Sequence, residues 1–315
     1  MSAHASAPTI VARAPAADPE RRHRLRLRIG WILVGSLVLV LAAYGFDYYS
    51  LNAQHRPLSA KHQTLRPSGT VGVRLGMLGF LCFMGLYLYP LRKRWAWLGK
   101  KGSSKHWLDF HVLLGLAAPL VITFHSSFKF HGLAGMAYWI MLAVSMSGLV
   151  GKYLFAQIPR SLSAAELSLK ELKDEEAKLT QQLAAQKLLS AATLAPLFEF
   201  PSAQRVESMS LLLALGSIIA VDLRRPFRVA GLRRRALGLG GKLATLGGFL
   251  PTRKRELEQA VHAARKHSSL SQNILFLSRS QQVFRLWHVI HRPFSYSFSL
   301  LASAHVIVVL LFGYM

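Results

Sequence analysis

The chain has 315 residues, of which 52% are hydrophobic and only 17% charged, too apolar for an ordinary soluble domain, with apolar runs of about twenty residues that suit a bilayer. It is strongly basic, with 39 Lys+Arg against 14 Asp+Glu and a formal net charge of +25. In a membrane protein that balance points to anionic lipid or an acidic partner, and without a base-reading motif it argues against nucleic acid. The single cysteine, Cys82, excludes an intrachain disulfide, a thiolate-held iron–sulfur cluster and CxxCH haem attachment.

The predicted fold class is all-α: a polytopic membrane helix bundle of about five spans with a helical cytoplasmic insertion. Residues 1–28 read as a disordered basic N-terminal arm. Their Ala- and Pro-rich start leads through RRHRLRLR (21–28) into the first apolar run without a cleavage site, so a cleavable signal peptide is not expected. Spans 1–4 occupy 29–155, at 29–50, 71–91, 107–128 and 133–155, and the last span lies within 283–315. Trp31, Tyr48, Tyr49, Trp107, Tyr153 and Trp287 mark span ends, where amphipathic rings settle at the membrane–water interface.

Short basic loops set the orientation. RRHRLRLR and LRKRWAWLGKKGSSKHW are assigned to the cytoplasm, which puts the N-terminus there and the loop 51–70 outside. The contrast is imperfect, because the outer loop carries Arg56, Lys61 and Arg66. An integral, multi-pass protein of a bacterial cytoplasmic (inner) membrane is the expected setting.

Residues 156–282 form the basic insertion. Ser163 and Glu166 fit a capping box opening a polar helix over 163–190. MSLLLALGSIIAV (209–221) is short for a span and is followed by RRPFRVAGLRRR, so it reads as an in-plane or re-entrant helix. If it crossed instead, the bundle would have six spans. TRKRELEQAVHAARKH reads as a further basic helix leading to the last span. The stripe Arg224–Arg235 and the run Arg253–Arg255 are candidates to bind anionic lipid headgroups or an acidic electron-transfer subunit.

Two stretches stand out: HVLLGLAAPLVITFH, from His111 to His125, and HRPFSYSFSLLASAH, from His291 to His305. Fourteen residues make almost four helical turns and climb about 21 Å, so both histidines of a pair share one face near opposite membrane edges. With five spans, spans 3 and 5 run in the same direction, opposing His111 to His291 and His125 to His305. With six, His111 would oppose His305 and His125 would oppose His291. An intramembrane imidazole needs a partner, and iron supplies one. Two facing pairs at two depths suit two non-covalent b haems, each with two axial histidines. Gly115, Gly76, Gly79 and Gly85 offer room for a macrocycle or for close helix packing. Arg285, Arg292, Lys105 and Lys129 are candidate propionate contacts. His106 and His288 fall about 100° off the paired faces. His131 sits in the outer turn, and His55, His62, His262 and His267 are expected to be solvated.

The doubled H-x13-H resembles diheme transmembrane b-type cytochromes, especially the ferric reductase and NADPH oxidase transmembrane domains, and respiratory cytochrome b is similar at the same level. The resemblance covers the spans and not 156–282. It implies a helical bundle holding two b haems at His111, His125, His291 and His305 and passing electrons across the membrane. No GxGxxG opens a helix after a strand, so neither a flavin nor an NAD(P) site is expected in this chain; RPF at 292–294 is similar to a flavin-binding HPF motif but falls inside the proposed haem helix. Such a subunit would be part of an oxidoreductase complex. It would pass electrons, in one direction or the reverse, between a quinol pool or a cytoplasmic redox partner and an acceptor on the other face, with a flavoprotein, an iron–sulfur protein or a cytochrome c among the carriers. The alternative is a haem-free membrane anchor that recruits an acidic partner through its basic insertion.

Overall fold

The computed structural model describes residues 19–158, 173–174, 176–178, 180–181, 194–237, 241, 244–252 and 254–313. Among them the secondary structure is helical, without strands. The long helices are α1 (Pro19–Tyr49), α2 (Thr70–Leu86), α3 (Leu88–Arg94), α4 (Ser104–His125), α5 (Gly132–Gln157), α6 (Leu211–Ala236) and α7 (Arg255–Leu311). Five helical stretches are long and apolar enough to cross a membrane: Glu20–Tyr49, His62–Arg94, Ser104–His125, Gly132–Gln157 and Arg255–Leu311. Their apolar side chains stay largely exposed, among them Leu33, Leu39, Val40 and Phe46, a surface suited to lipid rather than water. The chain divides into two compact units, one of residues 1–148 with 294–315 and one of residues 149–293, with α5 and α7 each running from one into the other.

In the first unit α2 packs along α4 on a glycine edge. Gly72, Gly76 and Gly79 follow helical spacing, and a side chain at Gly79 would collide with Ile122, so the small residues let two backbones approach. Leu41, Leu75, Val121 and Phe124 fill the space between α1, α2 and α4. Two prolines shape the bundle through the bonds they cannot make. Pro119 has no N–H for the Gly115 carbonyl one turn back, and the Ser145 hydroxyl of α5 donates to that oxygen at 2.7 Å. Pro90 likewise leaves the Leu86 carbonyl without its helical donor, next to the break between α2 and α3.

The first unit corrects the reading of 1–28 as a disordered arm. From Pro19 onward the basic segment is the first part of α1. Arg and Leu are strong helix formers, Pro is tolerated at the first helical position, and Glu20 sits in the first turn where the helix dipole favours an acid. Lys105 and His106 hold the Glu20 carboxylate at 2.8 and 3.0 Å, and His23 bonds Asp109 at 3.0 Å while stacking on His106. Residues 1–18 lie outside the described residues.

At the other end of the unit the loop 51–70 is knitted by Arg56, which is 8% exposed. Its Nε donates to Leu51 O at 2.9 Å, one terminal nitrogen to Tyr49 O at 3.0 Å and the other to Ser127 O. Ser127 in turn donates to Leu65 O at 2.7 Å.

In the second unit α6 is longer than the 13-residue apolar run. It carries 211–221 and RRPFRVAGLRRR in one helix from Leu211 to Ala236, started by Ser210 accepting from Leu213 N at 3.4 Å. Its inner face packs in two clusters, Ile218 with Val206 and Phe276, and Val229 with Leu232, Leu197, Leu257 and Val261. A polar knot crosses between them. Asp222 accepts from Tyr153 and from Gln157 at 2.9 Å and forms an ion pair with Arg225 at 2.9 Å, while Arg225 donates to Gln272. Burial pulls the Arg225 guanidinium below the ordinary arginine range, and the Asp222 charge opposes that shift. The expected boundary near 283 is no break in the chain's helix: α7 is unbroken over 57 residues, and the two units divide within it at 293/294. Ser163, Glu166 and most of the polar segment 163–190 lie outside the described residues, as does Arg253.

Arg56→Ala leaves three carbonyls without their charged donor and should lower stability by about 2–4 kcal/mol, read as a fall in the detergent-solubilised melting temperature. Arg56→Lys, with a point charge in place of the planar fork, should recover only part of it.

Candidate haem site

The site is built where α2 meets α4. His125 is the last residue of α4, and its Nδ1 lies 2.8 Å from the carbonyl oxygen of Gly72 on α2. A carbonyl only accepts, so Nδ1 carries the proton and Nε2 is left as the bare, metal-binding nitrogen. Gly76 makes room for this ring: a Cβ there would stand 2.8 Å from Cε1 and 2.9 Å from Nδ1 of His125. His305, on the last turns of α7, faces His125 with ring centroids 6.5 Å apart and planes at 71°. A metal–imidazole bond of about 2 Å, with the ring nitrogen about 1 Å from the ring centre, separates two opposed imidazoles by roughly 6 Å. The observed spacing therefore fits one ion between the two rings.

A cavity of about 610 Å³ surrounds the pair, within the size range of small-molecule and cofactor sites. Phe80, Phe83, Ile122, Met141, Phe298 and Val306 supply apolar wall, while His62, Arg66, Lys129 and His131 bring polar and basic groups. Phe298 is pinned by an edge-to-face contact with Phe83 at 4.9 Å and by the neighbouring hydrogen bond of Tyr87 to Ser299. The Nε–H of Arg66 is buried and has no acceptor among the described residues, which is costly unless an anion meets it. Among the described residues no three His, Cys, Asp or Glu side chains gather to hold a metal ion. An imidazole pair supplies two ligands, the number an iron porphyrin takes along its axis. Paired rings, a fixed tautomer, apolar walls and cations together fit that group.

His111 repeats the first half of this construction. Its Nδ1 lies 3.0 Å from the Leu86 carbonyl, the oxygen that Pro90 deprives of a helical donor. The same carbonyl-to-Nδ1 bond thus fixes both histidines of α4. His291 belongs to the second unit, where its ring stacks on Trp287 at 4.6 Å.

The four candidate propionate contacts separate. Lys129 lines the cavity. Lys105 pairs with Glu20 at 2.8 Å. Arg285 and Arg292 are exposed in the second unit. His62, expected to be solvated, instead bonds the Tyr48 hydroxyl at 3.2 Å and reaches the cavity. His267 likewise bonds Thr180 at 2.9 Å and packs on Phe198, whereas His55 and His262 are exposed as expected. Arg66 was overlooked as a ligand-facing group, although its place in a loop that should avoid cations was the available signal. A Cβ at Gly115 would meet Leu86 at 3.7 Å, an ordinary contact.

Comparisons with protein-family models, with curated proteins and with solved structures find no match.

Gly76→Val should push the His125 ring aside and lower the haem content of the purified protein by about half, counted as pyridine haemochrome per chain.

Proposed function

We propose that this chain is a membrane electron-transfer subunit holding two bis-histidine b haems, one between His125 and His305 and one between His111 and His291. The observation that carries the reading is the outer pair, two imidazoles with 6.5 Å between ring centres in an apolar cavity. For the inner pair the support is the sequence spacing. His291 precedes His305 by fourteen residues on the uninterrupted α7, as His111 precedes His125 on α4. Each step is almost four turns and about 21 Å.

Haem with two axial imidazoles carries one electron at a time and has no open position for oxygen or substrate. The residues supply the rest. The Gly72 and Leu86 carbonyls hold the two α4 rings in orientation and raise the basicity of the opposite nitrogen. Phe80, Phe83 and Phe298 keep water from the outer site. Arg66 and Lys129 offset anionic propionates there. The doubled H-x13-H on which this reading rests resembles that of the ferric reductase and NADPH oxidase transmembrane domains. The setting we infer is a bacterial inner membrane with the N-terminus in the cytoplasm, consistent with the basic loops flanking the first three spans. Electrons pass between a quinol or a cytoplasmic redox partner and an acceptor on the other face, with a cytochrome c, a flavoprotein or an iron–sulfur protein as the class of carrier.

The decisive test is a reduced-minus-oxidised visible spectrum with haem quantification on the purified protein. Two non-covalent b haems per chain are expected, falling to one in His125→Ala and in His305→Ala. A haem-free protein from cells supplied with ample haem would overturn the reading and leave a basic membrane anchor.

Arg66→Gln, which keeps hydrogen-bonding capacity and removes the charge, should lower the midpoint potential of the outer haem by roughly 20–60 mV, up to about one tenfold step for a one-electron couple. Potentiometric titration of the two haems reads it, and the inner haem serves as the internal reference.

A further inference from the structure

The second unit carries an apolar face that its own core does not use. On α6, Ala214, Ile218, Val229 and Leu232 turn inward and are buried. Leu212, Ile219, Leu223 and Phe227 lie on the opposite side, exposed by 80%, 44%, 68% and 58%. By helical geometry these four fall within about 80° of one another and extend about 22 Å. The face continues onto a turn: Phe249 packs edge-on against Phe227 at 5.6 Å, and Leu246 and Leu250 are exposed beside it.

That turn is built rather than loose. Leu246, Gly247 and Gly248 have φ of 46°, 67° and 87°. The left-handed region is unfavourable for leucine, and such a residue persists only where its surroundings enforce it. The enforcing group is Arg233. It donates to Gly248 O at 3.1 Å and to Phe249 O at 3.4 Å, while Glu258 grips it through bonds of 2.9 and 2.8 Å. Glu258 also accepts from Thr252 N at 2.9 Å, closing the turn. An ionic clamp therefore presents a leucine, a phenylalanine and a second leucine outward.

Arg224, Arg234 and Arg235 are exposed on the same helix, the first two beside or along the stripe. The nearby acids are turned to other work: Asp222 binds Arg225, Glu199 binds Arg228 and Glu258 binds Arg233. We propose that this face docks on the surface of an anionic phospholipid leaflet. Leu212, Ile219, Leu223, Phe227, Leu246 and Phe249 enter the headgroup–acyl boundary, and the arginines meet lipid phosphates. An aliphatic and aromatic stripe flanked by arginine is the pattern of a helix lying in the interface plane, where the apolar face sinks about 5–10 Å. The unit is joined through α5 and α7 to stretches long and apolar enough to span a membrane, so a leaflet is within its reach. The inference rests on the membrane reading and is independent of haem.

The lone cysteine makes the test direct. In a Cys82→Ala background, the full chain carries Leu223→Cys, Phe227→Cys or Leu246→Cys, each labelled with bimane. It is reconstituted in nanodiscs of phosphatidylcholine alone or with added phosphatidylglycerol. With phosphatidylglycerol, all three positions should shift emission to the blue and be quenched by lipid brominated near the headgroup end of the acyl chain. The shift should be lost in phosphatidylcholine alone and when Arg224, Arg234 and Arg235 are all replaced by Gln. Water-like emission with iodide quenching in both lipids would overturn the proposal and free the face for a protein partner. Equal burial in both lipids would overturn the anionic recognition. Quenching that deepens along α6 to the bilayer centre would overturn the in-plane placement in favour of a crossing helix.

Discussion

Both histidines of α4 are held by the same bond, an Nδ1–H donated to a backbone carbonyl at the α2 side of the bundle. Buried in apolar surroundings, an imidazole has to place its donor somewhere, and a carbonyl permits only one tautomer. The rest of the first unit is arranged to make those carbonyls reachable. Pro90 removes the donor that Leu86 would otherwise have, and the glycine edge of α2 brings its backbone close enough for the His125 ring to touch. Remove either device and the rings lose their orientation, whatever the spacing of the histidines along α4.

Charge placement follows from the same geometry. The cations that disturb the simple orientation rule in 51–70 each have a use. Arg56 is buried and ties three carbonyls together, Lys61 pairs with Asp47 at 2.7 Å, and Arg66 brings to the cavity with His125 and His305 a buried N–H that has no acceptor among the described residues. Loop arginines that bind backbone or ligand are retained for packing and recognition, so they say little about which side of the membrane they occupy.

The second unit uses polar bonds differently. Its knot of Tyr153, Asp222, Arg225 and Gln272 ties α5, α6 and α7 together, and its Arg233–Glu258 pair spends its bonds on a turn of backbone. Buried ions are tolerated when partners and hydrogen bonds satisfy them together. Here they leave α6 rigid enough to keep one apolar stripe inside the unit and another outside.

The helical class, the five apolar stretches and the repeated fourteen-residue step between histidines were legible in the sequence, because hydrophobic run length and a 100° turn per residue act locally. The extent of α6 and α7 was less so: a basic run after an apolar one looks like a boundary, yet arginine continues a helix as readily as leucine. Which groups surround His125 was decided by tertiary structure alone. Gly72, Arg66, His62 and Phe298 come from segments distant in sequence, and no local pattern records which carbonyl or cation another helix will deliver. The same holds for Lys105, whose neighbour in sequence is a candidate site but whose partner in space is Glu20. Periodicity determines which residues share a helix face; only packing between helices determines what that face meets.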